Sequence, residues 1–348
     1  MTEVLVAGGG PVGLAAALAA RRRGLGATVV EPRRVPVDKA CGEGLMPGTV
    51  RVLESLGVEV DALAGMPFRG IRYVGPDGTT RVSHAFVAGP GRGVRRTALH
   101  AALADVAGAA GVRLVTTRVD DVVQDGARVR AALADGGHLD GDWLLACDGL
   151  HSPLRRALGL HGGSDGRRFG VRRHAAVAPW TDHVEVHWSS LGEAYVTPVG
   201  PDEVGVAVLG ARGVSFEGAL ATFPALAPRL AGCAWTSPAR GAGPLRQRVR
   251  GRVSGRVLLV GDAAGYVDAL TGEGLRIGLA SALAAVDALA AGEPRRYERV
   301  WRRTTRDYRW LTSGLVAATR SPLVRGALVP AAARLPRLFG GAVETLAA

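Results

Sequence analysis

The segment Glu3–Glu31 constrains this chain more than any other. Glu3–Ala7 reads as a short buried strand that runs into Gly8-Gly9-Gly10-Pro11-Val12-Gly13. An Ala-rich helix is expected from Val12 to Arg23, Gly24–Gly26 closes it, and Ala27–Val30 makes a second strand ending at Glu31. The result is a βαβ unit with Gly8, Gly10 and Gly13 at its strand-to-helix turn and an acid 18 residues after the last glycine. Gly8 permits the tight turn, Gly10 lets the backbone approach a pyrophosphate, and Gly13 lets helix and strand pack closely. The helix start at Pro11 and Val12 offers amide donors and the positive end of the helix dipole. Glu31 can accept hydrogen bonds from ribose hydroxyls. Strand, glycines, helix and acid together define a dinucleotide site in an α/β fold.

Composition narrows the remaining classes. A chain of 348 residues can hold two domains around one large core, and 47% apolar with 21% charged residues excludes a disordered chain. Its longest apolar runs, such as Leu14–Ala20 and Leu279–Ala285, fall well short of the ~20 residues a bilayer span needs, which excludes an integral membrane protein. The N-terminus lacks the basic region of a signal peptide. Cys41, Cys147 and Cys233 are widely spaced and odd in number, so neither a disulfide framework nor a metal site is expected, and a cytoplasmic location is the default. The net charge of +12 arises almost wholly from arginine, since Lys39 is the only lysine. That skew, beside abundant Ala and Gly, reads as codon bias, and no nucleic-acid-binding motif accompanies it. Nucleic acid is therefore not an expected partner.

Two further strand-to-turn units match the first in kind. Leu144–Asp148 runs into Cys147-Asp148-Gly149-Leu150-His151-Ser152 with Arg155 beyond, and Val257–Val260 runs into Gly261-Asp262-Ala263-Ala264-Gly265. Thr271-Gly272-Glu273-Gly274-Leu275 then opens a helix expected over Gly274–Ala291. Between these units, Ile71–Val74 and Thr80–Phe86 read as a hairpin, and Arg95–Gly108 as a helix with Leu99 and Leu103 on one face. A strand-rich stretch runs from Phe169 to Leu209, and the tail beyond Glu293 is helical and Arg-rich.

In this order the motifs resemble the FAD-dependent family of the p-hydroxybenzoate hydroxylase fold, which includes aromatic hydroxylases, halogenases and geranylgeranyl reductases. The resemblance spans nearly the whole chain and rests on Gly8–Gly13 with Glu31, Arg96-x-x-Leu99, Cys147-Asp148-Gly149 through Arg155, and Gly261-Asp262-Ala263-Ala264. It implies a Rossmann-type FAD-binding domain from residues 1–69, 94–165 and 251–292. Into it a β-sheet substrate domain, 70–93 and 166–250, is inserted, and a helical tail, 293–348, follows. It implies non-covalent FAD held by the first unit, by Arg96, by Asp148, Gly149 and Arg155, and by Gly261 and Asp262. Arg33, Lys39, Cys41 and Gly42 join them from the loop after the second strand. Gly272, Glu273, Gly274 and Leu275 would face the flavin, where a helix start favours negative charge on the reduced ring. With no second glycine fingerprint, NAD(P)H is expected only as a transient reductant.

Within the family, oxygenation of an aromatic or polyketide-type substrate is the favoured activity, because it is the commonest one on this fold. Reduction of a C=C bond in an isoprenoid or lipid is the alternative. A non-enzymatic flavin-binding protein is a third reading. Gly265, Gly272-Glu273-Gly274 and Cys41-Gly42-Glu43-Gly44 look more like the geranylgeranyl reductase branch than the hydroxylases. Glu193-Ala194-Tyr195-Val196-Thr197-Pro198 lacks the tryptophans of the halogenases. Candidate catalytic residues are Cys41, whose packing role is preferred to a redox one, with Tyr195 and Thr197 on one strand face and His174 as a substrate-facing acid or base. Val196, between the two, is expected to point away into packing. Tyr297, Trp301, Thr304, Tyr308 and Leu311 form a helical stripe that either packs on the FAD domain or touches a membrane surface peripherally.

Overall fold

β1 (Glu3–Ala7), α1 (Pro11–Arg22) and β2 (Gly26–Val30) form the expected opening unit in the computed structural model, which describes residues 2–347. Met1 and Ala348, the outer ends of the expected first domain and tail, lie outside the described residues. The chain then leaves this layer for β3 (Gly70–Val74) and β4 (Arg81–Ala85) and returns through α2 (Arg96–Ala109), β5 (Arg113–Val115) and β6 (Trp143–Ala146). A second excursion supplies β7 (Arg168–Ala176), β8 (His183–Trp188), β9 (Gly192–Gly200) and β10 (Glu203–Ala211). β11 (Val257–Leu259) and α3 (Gly274–Ala290) complete the first layer. Four helices close the chain: α4 (Arg296–Thr304), α5 (Arg306–Ala318), α6 (Pro322–Arg334) and α7 (Pro336–Ala347).

The first sheet has the order 253–254, β11, β6, β1, β2, β5, with every pair parallel except the short edge strand. Its register matters for the site. Ala7 lies beside both Ala146 and Val30, and Ala146 beside Leu259, so four strands end in one row. The turns that follow them therefore share one edge, the carboxyl edge where ligands of doubly wound sheets sit. α1 packs between α2 and α3.

The second sheet runs 240–242, β7, β10, β9, β8, β3, β4. It is antiparallel apart from the β3–β8 pair. Cross-strand partners share a face, so Tyr73, Val186, Tyr195 and Ala207 look to one side. Val196, Val206 and Ala194 look to the other, where they are buried against Phe216 and Phe223. The alternation expected for Tyr195, Val196 and Thr197 is what the register gives. Gly91–Val94, which overlaps the range expected for the substrate domain, pairs instead with Gly44–Leu45 and Gly65–Phe68 in a small separate sheet. Close approach explains the glycines there: a Cβ on Gly93 would sit 1.8 Å from the Pro198 carbonyl oxygen.

The tail stripe is carried by α4 and α5, which meet at Thr305. Tyr297, Trp301 and Tyr308 are buried as expected, but Thr305 and Thr312 take the inward positions expected of Thr304 and Leu311. The stripe packs on the parallel-sheet layer: Tyr297 donates to the Leu259 carbonyl at 2.8 Å, and the Arg252 guanidinium stacks 3.7 Å from the Trp301 ring centroid. Among the described residues no helix is long and apolar enough to cross a membrane.

Candidate functional site

Between the carboxyl edge of the parallel sheet and the inward face of the antiparallel one lies a cavity of about 510 Å³. Its floor is the row of turns. Gly8 has φ +106°, and a Cβ there would lie 2.4 Å from the Cys147 carbonyl oxygen, so the first and second turns touch. Gly13 is more crowded, because its Cβ would fall 1.9 Å from the Gly8 carbonyl oxygen. Gly10 differs. Its backbone conformation suits any residue, and an added Cβ would meet only the Arg96 guanidinium, at 3.7 Å. Two glycines thus serve packing, and the third keeps space open toward the cavity.

The turn is braced from α2. His100 is buried and accepts from Val37 N through Nδ1 at 3.1 Å, which leaves Nε2 protonated to donate to the Gly9 carbonyl at 2.6 Å. Burial holds its pKa below the usual imidazole range, so the ring is neutral. Glu31 accepts from Gly9 N at 2.9 Å and from Arg33 Nε at 2.7 Å. Burial alone would raise its carboxyl, but these hydrogen bonds hold it below the ordinary value, so it stays an acceptor facing the cavity.

The residues present fit FAD. Arg33, Lys39 and Arg96 put cations along the wall beside the start of α1, which suits a pyrophosphate. Arg96 Nε and Asp148 Oδ1 are buried without a partner, and both residues line the cavity, so two orphaned polar atoms await a ligand. Pro11, Val12, Gly149 and Asp262 complete this arm. Cys41, Gly42, Gly272, Gly274 and Leu275 line the next stretch, where the start of α3 turns its free amides inward. Gly272, at φ +71°, would place a Cβ 3.7 Å from Met46 Cε, ordinary van der Waals distance, so the two loops approach each other closely.

Five expected site residues have commitments that their sequence positions did not reveal. Arg155 is fully buried and does not line the cavity; it donates to the carbonyls of Leu150, Asp262 and Ala263 and to Gln247 Oε1. Glu273 is also buried behind the wall. Its Oε2 pairs with Arg276 and its Oε1 has no partner, and burial pushes the carboxyl up to about 7. His174 lies on the inward sheet face but is sealed from the cavity by Glu43, whose Oε2 sits 2.6 Å from its Nε2, with Ser237 Oγ 2.7 Å from its Nδ1. Tyr195 and Thr197 line the cavity, yet their hydroxyls are committed. Tyr195 donates to the Leu270 carbonyl, and Thr197 donates to the Gly42 carbonyl at 2.8 Å. They hold loops in place and do not present free hydroxyls to a substrate.

Sequence reasoning missed Glu43, a non-glycine residue at φ +60°. Its carboxylate accepts from Arg96 N at 2.8 Å as well as meeting His174, so it joins the Cys41–Gly44 loop to α2 and to the roof. Its position in the Cys-Gly-Glu-Gly run was the one available signal. A second arm of the cavity was also missed. Met46, Ile71, Tyr73, Phe86, Val186 and Leu346 line it, and all are apolar except for one phenol. The inward alternation of β3 and β8 was its signal. Cys41 Sγ accepts from Glu43 N at 3.4 Å, a contact within its own loop. Among the described residues no group of His, Cys, Asp or Glu could hold a metal ion.

The chain belongs to the FAD-binding domain family, whose model matches residues 1–215, and FAD is its cofactor. It is 31% identical over 332 residues to a menaquinone reductase of Mycolicibacterium smegmatis, covering 86% of this chain and 79% of that protein. A menaquinone reductase of Mycobacterium tuberculosis is 32% identical over 324 residues, with coverage of 86% and 78%. Among solved structures, a flavin-dependent brominase superposes with a TM-score of 0.86 at 18% identity, covering 99% of this chain and 93% of that one. That likeness speaks for the fold.

Gly10→Ala and Gly13→Ala separate the two glycine roles. Gly10→Ala should fold with unchanged melting temperature yet bind FAD at least about tenfold more weakly, because its methyl occupies the pyrophosphate approach. Gly13→Ala should lower stability by about 3 kcal/mol or more, since backbone must move. Equal effects in thermal melts and FAD titration would contradict the division. Glu273 gives a pH test. Its folded pKa of about 7 exceeds the ordinary 4.5, so the folded state keeps a proton that the unfolded chain releases, and stability is lost as pH rises through that interval. Glu273→Gln should therefore gain on the parent between pH 5 and pH 8, by about 3 kcal/mol at most. A melting-temperature difference that stays constant with pH would contradict the raised carboxyl.

Proposed function

We propose that this flavoprotein reduces a carbon–carbon double bond in an apolar, isoprenoid-bearing substrate such as a prenylated quinone, with NAD(P)H as the electron source. The observation that carries the reading is the apolar end of the cavity, lined by Met46, Ile71, Tyr73, Phe86 and Val186 beneath the roof sheet. It suits a hydrocarbon chain better than a small hydroxylated ring. The similarity to two menaquinone reductases, at 31% and 32% identity over most of each chain, supports the same choice. Oxygenation, favoured on fold analogy alone, has no comparable support in the lining.

When bound and reduced, FAD supplies the hydride. The protein's own work is positional. Lys39 and Arg96 with the start of α1 would hold the anionic part of the cofactor, and Asp148 and Asp262 would accept from its hydroxyl groups. Thr197 and Tyr195 fasten the Gly42 and Leu270 backbones to the roof, which fixes the spacing of these loops. The start of α3, whose Gly274 and Leu275 line the cavity, would favour negative charge on a bound, reduced cofactor. Net reaction adds one hydride and one proton, so the substrate gains two hydrogens and NAD(P)H is oxidised.

Anaerobic single turnover tests this. NADPH-reduced holoenzyme mixed with a prenylated quinone should reoxidise its flavin without oxygen, and after the quinone head is reoxidised mass spectrometry should still find two added hydrogens, located in the prenyl chain. Turnover that requires oxygen and adds an oxygen atom would overturn the reading.

A further inference from the structure

The α6–α7 hairpin finds its partners on its inner face. It packs on β4, Val329 is fully buried, and Phe339 meets the Tyr73 ring edge-on at 5.0 Å between centroids. Val343 and Leu346 line the apolar arm of the cavity. The outer face is different. Positions 323, 327 and 331 recur at helical spacing on α6 and are exposed, yet they are Leu, Ala and Ala. Leu323 is 85% exposed, and Leu335 and Leu338 at the helix junction are 54% and 70% exposed. A helix facing water carries polar residues on that side; one apolar all round is covered by something.

Among the described residues, the hairpin charges that lack an ion-pair partner are of one sign. Arg334 and Arg337 flank the exposed leucines, and among the described residues neither has an ion-pair partner. The one acid, Glu344, is 31% exposed but committed, accepting from Val87 N at 3.0 Å and pairing with His84 at 2.8 Å. We propose that this hairpin docks the protein onto an anionic lipid surface, with Leu323, Leu335 and Leu338 entering the headgroup–acyl boundary and Arg334 and Arg337 meeting lipid phosphates. Charge complementarity selects the occupant. Two-fold pairing with a second copy would press the same arginines together, whereas anionic headgroups neutralise them. The geometry needs no membrane span, because interfacial helices lie in the surface plane. Continuity with the cavity follows, since the inner face of the docked hairpin is a wall of the apolar arm. The docking itself does not depend on which reaction the flavin runs.

Vesicle flotation with FAD-loaded protein and no substrate tests the proposal. The protein should float with vesicles containing phosphatidylglycerol and stay behind with pure phosphatidylcholine, and added salt should release it. A Leu323→Glu/Leu338→Glu variant and an Arg334→Glu/Arg337→Glu variant should each bind anionic vesicles at least about tenfold more weakly. Both should keep the flavin absorbance and melting temperature of the parent. Failure of the parent to float at low salt, or binding unchanged in both variants, would overturn the assignment. So would a parent dimer, seen by sedimentation, that the leucine variants convert to monomer, because a second copy would then be the cover.

Discussion

Turning the amides of two adjacent turns toward a ligand leaves their carbonyls facing an interior that water does not reach, and Arg155 is what those carbonyls meet. Its guanidinium has no exposed surface and satisfies four acceptors, spread over the Asp-Gly turn, the Gly-Asp turn and Gln247. Burial lowers its pKa, while the carboxylates of Asp148 and Asp262 on the two turns act in the opposite direction and compensate the charge. Hydrogen bonds to a charged donor contribute about 1.5–3 kcal/mol each, and an uncompensated loss inside such a network costs more than their mean. The floor of the cavity is one unit because this side chain stands behind it.

The roof is joined to that floor by a few long-range contacts. Glu43 links α2 and the Cys41–Gly44 loop to His174, Thr197 fixes Gly42, and Tyr195 fixes Leu270. On the far side Arg168 bridges Glu193 of β9 to Asp268, and Tyr308 of α5 donates to the Asp268 carbonyl at 3.0 Å. The loop that leads into α3 is therefore gripped by the antiparallel sheet and by the C-terminal helices together. The placement of the cavity's loops is set by side chains from across the fold.

What could be read from sequence divides along the same line. The three turns were readable because each is local: glycines, an acid and a flanking strand within a few residues state their own geometry. The face shared by Tyr195 and Thr197 was readable because strand period fixes it. Their partners were not, since Leu270 and Gly42 lie 75 and 155 residues away and carbonyls leave no sequence mark. Arg155 sits within a motif, but whether it points forward to a ligand or back to carbonyls is decided by Gln247, far along the chain. In the stripe beyond Tyr297, Thr304 and Leu311 were expected inward where Thr305 and Thr312 are, because i+3 and i+4 positions both fit a helix face that holds Trp301 and Tyr308. α6 gave no facing signal, being apolar on both sides.

The apolar arm as the seat of a hydrocarbon chain beside the flavin is the central claim. The most direct measurement is kcat/KM against the number of isoprene units on a fixed quinone head. Each buried methylene contributes about 0.8 kcal/mol, about fourfold, so the value should climb by well over about tenfold per added five-carbon unit until the arm between Met46 and Phe86 is filled, then level off. A flat profile, or a maximum for the ring with no chain at all, would contradict it.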